Sequence, residues 1–240
     1  MKARILMFAI LSLSPEVAIF GQGTIILHQG ATDPVTEGFT YSGAPDAVGP
    51  VYGDLGLDAW RTSVTTNLSR YTQLLTPEQQ AQATGADWIM SATLRVVQTA
   101  DYTRGNTWLA FYAGNASFPL DFGADSNGDP FVNFGNSSGT PRFVLAGAGS
   151  TYHNYQLRYS TTSGIADLWV DGVERFTGIS GLSGFSGWGL FWGELQGGNS
   201  AANWNYISFE IIPEPSSLAL LGCGGVLLAG HWLRRFRRRR

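Results

Sequence analysis

The chain has little of the side-chain chemistry on which many enzymes and nucleic-acid-binding proteins depend. Its 240 residues include one cysteine, three histidines and a single lysine, and only 14% of them are charged. One cysteine excludes an intramolecular disulfide, so packing has to stabilise the fold. No group of histidine, cysteine and carboxylate residues has the spacing of a zinc site.

Positive charge is also scarce between the two ends of the chain. Residues 24 to 212 contain seven arginines, no lysine and sixteen acidic residues, which gives a formal charge of −9. Because binding to phosphate backbones needs clustered lysine and arginine, we expect no nucleic-acid partner. This length is enough for one domain with a substantial core, and nothing indicates a second domain.

The C-terminus, in contrast, carries a distinct three-part pattern. Pro213-Glu214-Pro215 precedes an uncharged, largely apolar run from Ser216 to Leu233. Eighteen residues rising about 1.5 Å each span about 27 Å as a helix, close to the ~30 Å hydrocarbon core of a bilayer. We therefore expect a transmembrane helix here. Six arginines follow it and should hold its end in the cytoplasm: Arg234, Arg235, Arg237, Arg238, Arg239 and Arg240.

This order of motif, apolar span and basic end resembles the PEP-CTERM sorting signal of Gram-negative bacterial surface proteins. The resemblance implies that an exosortase-type enzyme recognises Pro213, Glu214 and Pro215 and processes the tail. The protein would be anchored in the inner membrane before processing and would then reach the cell surface or extracellular matrix. A permanent single-pass anchor is the alternative, although such an anchor does not need a charge between two prolines at the membrane interface.

The N-terminus is consistent with export. Lys2 and Arg4 precede the apolar stretch Ile5 to Leu13, which is too short to span a membrane and is typical of a secretory signal peptide. We predict a signal peptide over residues 1–23, although no Ala-x-Ala site is present and an uncleaved amphipathic start is the alternative. The predicted organisation is completed by a body at residues 24–212 and the sorting signal at residues 213–240.

The residue pattern of the body predicts strands and turns. Short alternating segments rich in glycine, aromatic and β-branched residues are typical of a sandwich or barrel. We predict one short helix from Glu78 to Ala83, with Thr76 as N-cap. A tight hairpin turn is predicted at Asp171-Gly172. About ten strands are predicted, at 87–97, 107–113, 118–122, 131–134, 142–145, 153–159, 166–170, 173–176, 188–192 and 204–211.

The alternation within these segments predicts which side chains are buried. In the strand that starts at Asp87, one face should point to the core and comprises Trp88, Met90, Ala92, Leu94 and Val96. In the last strand, Trp204 and Tyr206 are expected on the face opposite Ile207, Phe209 and Ile211.

The order of these segments supports a second resemblance. A helical turn, the strand that begins at Trp88, the segment Tyr155-Gln-Leu-Arg-Tyr159, the hairpin at Gly172 and a closing Asn-Trp-Asn-Tyr-Ile strand resemble the concanavalin A-like or laminin-G-like jelly roll. The resemblance implies an all-β fold of two antiparallel sheets packed face to face. A fold of this kind hosts many functions and does not imply an activity.

Catalysis finds little support in the sequence. Glycoside hydrolysis needs two carboxylates at a defined separation, and the Glu-x-Asp-x-Glu pattern of related glycosidases is missing. Glu194, beside aromatic residues, is the best lone candidate, and one carboxylate does not complete the pair. His153 alternates with Tyr155 and Leu157, which indicates a core or strand-end histidine. We therefore expect no enzyme.

Sugar binding demands less of a sequence, because an aromatic ring and a few amides or carboxylates suffice. Ordinary packing of aromatic residues in a sandwich is the alternative for every candidate. The candidate glycan-binding residues are Asp167 with Trp169, Trp192 with Glu194, and Trp204 with Tyr206.

One loop has the beginning of a calcium-binding pattern. Asp125, Asn127 and Asp129 place oxygen ligands at alternate positions, but Pro130 and Asn136 stand where an EF-hand loop needs glycine and glutamate. We predict a plain turn and no cofactor, and leave open a calcium ion held with ligands from another loop.

Taken together, the sequence predicts an exported, non-catalytic bacterial surface protein that displays a sandwich body to exopolysaccharide or envelope glycans. Two alternatives remain at this point: a secreted glycoside hydrolase of the same fold, and a purely structural matrix protein without a small ligand.

Overall fold

A computed structural model of the chain describes residues 23–44, 47–66, 68–99, 105–135, 142–195 and 199–212. These residues form two antiparallel sheets, one α-helix and one 3-10 turn. The predicted signal peptide, except for its last residue, and the whole predicted sorting signal lie outside the described residues. Within the described ranges, no helix has the length and apolar character needed to cross a membrane.

The first sheet, sheet A, has eight strands. In chain order they are β1 (Gly23–Gln29), β3 (Ala47–Asp54), β4 (Leu57–Val64), β6 (Asp87–Gln98), β11 (His153–Ser160), β12 (Ile165–Val170), β13 (Val173–Ile179) and β16 (Ser200–Ile212). Across the sheet the order is β13-β12-β11-β6-β16-β4-β3. The long strand β16 pairs with β4 through its first half and with β1 through its second half.

The second sheet, sheet B, also has eight strands. They are β2 (Thr40–Gly43), β5 (Ser69–Leu74), β7 (Thr107–Ala113), β8 (Ala116–Ala124), β9 (Pro130–Phe134), β10 (Arg142–Val144), β14 (Leu182–Ser183) and β15 (Trp188–Glu194). The order across the sheet is β10-β9-β8-β7-β15-β5-β2, and β14 pairs with the start of β8.

The two sheets pack face to face through aromatic side chains. Phe111 of β7 stacks on Phe209 of β16 with a ring-centroid distance of 4.0 Å, and Trp192 of β15 contacts Trp204 of β16 at 5.2 Å. The predicted core face of β6 is confirmed, because its five residues are at most 4% exposed: Trp88, Met90, Ala92, Leu94 and Val96. The architecture is therefore the two-sheet antiparallel sandwich that the sequence predicts.

The predicted helix is also confirmed. Helix α1 runs from Pro77 to Gly85, so it begins one residue earlier and ends two residues later than the predicted Glu78 to Ala83. The Thr76 hydroxyl accepts a hydrogen bond from the Gln79 backbone N–H, and the Gln79 side chain accepts one from the Thr76 N–H. This reciprocal capping box fixes the N-terminus of the helix. A short 3-10 turn, Pro34–Glu37, precedes β2.

The sequence analysis missed the five strands that precede the helix and the two-residue strand β14. The described residues contain sixteen strands, not about ten. Ala47–Asp54 illustrates the reason, because this strand contains two glycines and Pro50, residues that are unfavourable in strands. Its position beside β4 at the edge of sheet A makes it a strand, and sequence periodicity does not reveal that pairing.

The structure corrects the orientation predicted for Trp204. The register between β16 and β6 shifts between Trp204 and Tyr206, so Asn205 is a bulge residue. A bulge inserts one extra residue and reverses the alternation that follows it. Trp204 therefore points into the core together with Ile207 and Phe209, and is 0% exposed.

The hairpin between β12 and β13 forms as predicted. Asp171 and Gly172 connect Val170 to Val173 with φ angles of 50° and 75°, the left-handed conformation that a tight two-residue turn requires. The Asp171 carboxylate also accepts a hydrogen bond from the Asn154 N–H at 2.9 Å. The turn is thereby tied to the neighbouring strand β11.

We expect Gly172→Val to destabilise the fold by about 1–2 kcal/mol, because a β-branched residue is strained at positive φ. A Cβ atom at Gly172 would meet no atom within 4 Å, so the cost arises in the backbone and not from a clash. Denaturant unfolding measures it. Glu174→Val, at an exposed position of β13, is the matched control and should change the unfolding free energy much less. Equal stability of the two variants would contradict the turn geometry.

Candidate functional site

Three of the predicted glycan-binding residues lie together, but in the core between the sheets. Trp192, Glu194 and Trp204 are 0%, 1% and 0% exposed. Trp192 also stacks on Tyr71 at 4.6 Å. A glycan cannot reach side chains that are enclosed on all sides, so ordinary packing accounts for these three positions.

Glu194 is held in this core by hydroxyl groups. The Thr62 hydroxyl donates to Oε1 of Glu194 at 2.7 Å, and the Thr107 hydroxyl donates to Oε2 at 2.9 Å. The Trp204 indole N–H donates in turn to the Thr62 oxygen at 2.9 Å. Burial raises the pKa of Glu194 to about 8, although the two hydroxyl hydrogen bonds lower it. The carboxyl group is therefore mostly neutral at pH 7.

The other three predicted residues lie on the outer face of sheet A and do not converge. Asp167 and Trp169 are on β12, whereas Tyr206 is on β16, and strands β11 and β6 separate them. The Arg158 guanidinium lies over the Trp169 ring, 4.2 Å from its centroid. Asp167 accepts a hydrogen bond from the Gly178 N–H at 3.0 Å. These contacts leave no shared aromatic and polar surface among the three residues.

In the candidate calcium loop, the aspartate carboxylates accept hydrogen bonds from backbone N–H groups. Asp125 accepts hydrogen bonds from the N–H groups of Asn127 and Asp129, and Asp129 accepts from those of Gly147 and Gly149. These last two hydrogen bonds lower the pKa of Asp129. The two carboxylates thus shape the turn and tie it to the loop after β10. No group of three or more metal-ligating side chains occurs within the described ranges.

His153 occupies a strand end, as its alternation predicts, and is 9% exposed. Its Nδ1 lies 2.7 Å from the Asp171 carboxylate and its Nε2 lies 2.9 Å from the Thr151 hydroxyl. This order of hydroxyl, imidazole and carboxylate resembles a hydrolase triad in outline. Asp171 is, however, part of the hairpin turn. The contacts among Thr151, His153 and Asp171 hold this turn against β11.

A different surface brings together the groups that a glycan site needs: the outer face of sheet B. On the central strand β15 the positions that face outward are Gly189, Phe191 and Gly193, so the Phe191 ring lies between two glycines. Phe191 and Trp108 form a small apolar cluster separate from the core between the sheets, with Tyr112 packed against it. Gly193 lies opposite Arg70 on one side and Trp108 on the other.

The aromatic rings on this face form a continuous series towards solvent. Tyr112 contacts Phe191 with a centroid distance of 4.3 Å and Phe185 at 5.2 Å. Trp108 and Phe191 are almost buried, Tyr112 is half-buried and Phe185 is 37% exposed. The accessible end of the series is therefore at Tyr112 and Phe185.

A cavity with several polar residues in its lining adjoins these rings on strands β5 and β2. Its volume is about 460 Å³, within the range of small-molecule sites. It is lined by Gly38, Thr40, Ser42, Arg70, Thr72, Gln73 and Leu74. Four buried polar atoms of these residues have no hydrogen-bond partner among the described residues: Ser42 Oγ, Arg70 Nε, Thr72 Oγ1 and Gln73 Oε1. Buried polar atoms usually have partners, so this grouping marks a surface that can accept a ligand.

Cross-strand pairing joins the cavity to the rings. Ser42 lies opposite Arg70, and Thr72 lies between Thr40 and Phe191. The Arg70 guanidinium carbon is 5.7 Å from the centroid of the Phe191 ring. We call this surface the Arg70 patch and define it by six residues: Ser42, Arg70, Thr72, Tyr112, Phe185 and Phe191.

The sequence analysis missed the patch entirely. The available signal was the alternation in β5, where Arg70, Thr72 and Leu74 point away from the core while Tyr71 points into it. The patch is assembled from strands β2, β5, β7 and β15, which are distant in sequence. Their pairing, and not any local motif, creates it.

Comparison with known proteins shows the fold and no closer relationship. No protein-family model matches the chain, and neither does any curated protein. The solved structure of a carbohydrate esterase from the Shiga toxin-encoding bacteriophage phi24B is similar, with a TM-score of 0.57 and 12% identity over 80% of this chain and 100% of that one. The chain thus has the fold of a class of β-sandwich proteins.

Botulinum neurotoxins supply further similar structures. The type C neurotoxin, whose cell entry depends on interaction with two ganglioside molecules, matches with a TM-score of 0.53 and 11% identity over 78% of this chain. The serotype D binding domain matches with a TM-score of 0.51 and 10% identity over 85%. The chain spans about half the length of these neurotoxin structures, 47% and 51%.

Proposed function

We propose that this protein is an exported, non-catalytic surface protein that binds glycans through the Arg70 patch. One observation carries the proposal: aromatic rings and unpaired buried polar atoms adjoin each other on the outer face of sheet B. An aromatic ring packs against the C–H face of a sugar, while hydroxyl and amide groups bond to its hydroxyls. The patch offers both, side by side.

The composition of the patch favours binding over hydrolysis. A glycosidase needs two carboxylates across the scissile bond, and none of the six patch residues carries one. Glu194, the best catalytic candidate in the sequence, is 1% exposed and bonded to Thr62 and Thr107. It is therefore unsuited to contact a substrate.

The comparisons are compatible with this proposal. One similar structure belongs to a carbohydrate esterase, and another to a toxin that interacts with gangliosides. Sandwiches of this shape thus occur in proteins that act on or interact with saccharides. We propose the concanavalin A-like or laminin-G-like jelly roll as the finer description of the fold.

An unbiased glycan array tests the proposal. The exported protein should bind at least one class of bacterial exopolysaccharide or envelope glycan. Arrays probed with and without calcium also test whether an ion contributes, and we expect the same binding in both. Failure to bind any glycan would favour the structural matrix role.

The sorting part of the proposal rests on the tail at residues 213–240. Replacing Pro213, Glu214 and Pro215 by alanine should leave membrane insertion intact, because the apolar run and the arginines are unchanged. The same change should block processing in an exosortase-containing host. Immunoblots of membrane and surface fractions measure both. Wild-type processing of the triple variant would replace the exosortase proposal with a simple anchor.

A further inference from the structure

We infer that the glycan bound at the Arg70 patch is acidic and that Arg70 binds its carboxylate or sulfate group. This inference rests on the proposed function and adds to it the chemical class of the ligand. It follows from the bonding of Arg70, the lining of the cavity and the position of the nearest acidic group.

Arg70 has no polar partner among the described residues, unlike Arg61, Arg95 and Arg158. Arg61 donates to Asn203 at 2.9 Å, Arg95 pairs with Asp54, and Arg158 donates to Gln156 at 2.7 Å. Arg70 forms no hydrogen bond or ion pair with a described residue, and its guanidinium group contacts the Phe191 ring instead. Its Nε atom is nevertheless shielded from solvent.

A guanidinium group that is shielded from solvent and has no polar partner favours the binding of an anion. Its N–H donors form a planar fork that matches the two oxygens of a carboxylate, or two oxygens of a sulfate, with paired hydrogen bonds. Such a ligand would supply the acceptor that Nε lacks. A neutral sugar hydroxyl would satisfy one donor and leave the charge without a counterpart.

The rest of the cavity lining supports the same ligand class. None of the described residues that line the cavity is acidic, although the body carries a formal charge of −9. Glu37 is the nearest acidic residue in sequence, next to Gly38, and its carboxylate is occupied by His28 Nδ1 at 2.5 Å and the Gln29 N–H at 3.1 Å. Arg70 therefore faces the cavity without competition from a carboxylate of its described lining residues.

The neighbouring side chains supply contacts for the sugar itself. The hydroxyls of Ser42 and Thr72 are unpaired groups that can bond to sugar hydroxyls. Ser42 stands directly opposite Arg70 across the β2–β5 pair. A saccharide fits this mixture of one cation, hydroxyls and an aromatic ring better than an acidic peptide does, since a peptide offers few hydroxyl groups.

The test compares acidic saccharides with uncharged twins by isothermal titration calorimetry on the exported protein. Oligogalacturonate and its methyl ester form the carboxylate pair, and dextran sulfate and dextran form the sulfate pair. We expect at least one acidic member to bind about tenfold or more tightly than its twin, the size of a charge-assisted pair of hydrogen bonds. The pair that shows the preference identifies the anionic group.

Substitution then assigns the preference to Arg70. Arg70→Gln should remove the difference between acidic and neutral twins, and Arg70→Lys should keep only part of it because lysine lacks the fork. Arg158→Gln, on the outer face of sheet A, is the matched control and should keep the full preference. Because Arg70 has no polar partner among the described residues, its loss should change the melting temperature little.

Two outcomes overturn the inference while leaving glycan binding intact: equal affinity of wild type for both members of each pair, or an unchanged acidic preference in Arg70→Gln. Absence of binding to these saccharides and to every glycan on the array would overturn the proposed function as well. If Arg70→Gln does not fold, the comparison of twins on the wild-type protein still decides whether the ligand is acidic.

Discussion

Replacing Glu194 by glutamine is expected to make the protein more stable at pH 8 and to remove much of the loss of stability between pH 7 and pH 8. Burial raises the pKa of the folded carboxyl group to about 8, from an ordinary value of 4.5. Between these two pH values the folded protein keeps a proton that the unfolded chain releases. The contribution of Glu194 to the free energy of unfolding is therefore at its maximum below about pH 4.5, and it is lost as the pH rises through about 8.

The slope of this loss is up to about 1.4 kcal/mol per pH unit for one group. Glutamine is neutral at every pH, its amide oxygen can accept from the Thr62 hydroxyl and its NH2 group can donate to the Thr107 oxygen, so the variant should not show this slope. Denaturant unfolding at pH 6.5, 7, 7.5 and 8 measures it. Burial lowers the pKa of the buried imidazole of His28 from its ordinary value of 6.5, so His28 affects stability mainly at the lower end of this window and does so equally in wild type and Glu194→Gln.

A matched Glu-to-Gln change provides the control. Glu174 is exposed on β13, so Glu174→Gln should retain the wild-type slope. A slope in Glu194→Gln equal to that of wild type would mean that the buried carboxyl group does not hold its proton, and the description of the core around it would be wrong.

Replacing Tyr112 by alanine is expected to weaken glycan binding about tenfold. Tyr112 is the half-buried ring that links Phe191 to the exposed Phe185, and its loss removes an apolar surface on which a sugar ring can pack. Aromatic contacts of this kind contribute about 0.5–1.5 kcal/mol beyond area burial, and the lost area adds to this. Calorimetric titration with the tightest ligand from the array measures the change.

Trp169→Ala is the matched control for this prediction. Trp169 is an aromatic residue on the outer face of sheet A, beneath Arg158, and its loss should leave glycan affinity unchanged. Thermal unfolding of both variants shows whether either change acts through the fold. If Trp169→Ala weakened binding and Tyr112→Ala did not, the ligand would bind sheet A and the site would be misplaced.

The features that the sequence predicted well are those that depend on near neighbours in the chain. Strand β6 has apolar core residues at every second position from Trp88 to Val96, and the turn at Asp171-Gly172 needs positive φ at two adjacent residues. The capping box of α1 joins Thr76 to Gln79, three residues apart. In each case the residues that determine the structure lie within one short segment.

The features that the sequence analysis missed depend on pairing between distant segments. A bulge at Asn205 turned Trp204 into the core, and alternation alone does not locate bulges. Glu194 lies 132 residues from Thr62 and 87 residues from Thr107, which bond to it. Its closeness to aromatic residues in sequence suggested a binding site, whereas those residues enclose it.

The Arg70 patch is the clearest example of this difference. Arg70 and Tyr112 belong to strands β5 and β7, and only their pairing with opposite edges of β15 brings them to one face. Each contributing segment, taken separately, is an ordinary half-buried strand. Recognising the site therefore required the sheet order and register.

A crystal structure of the protein with the tightest-binding oligosaccharide from the array tests the central claim most directly. We predict that a sugar ring packs against Tyr112 or Phe185, that its hydroxyls bond to Ser42 or Thr72, and that the ligand occupies the outer face of sheet B. An oligosaccharide bound to sheet A, or at any surface that excludes Arg70, would contradict this account.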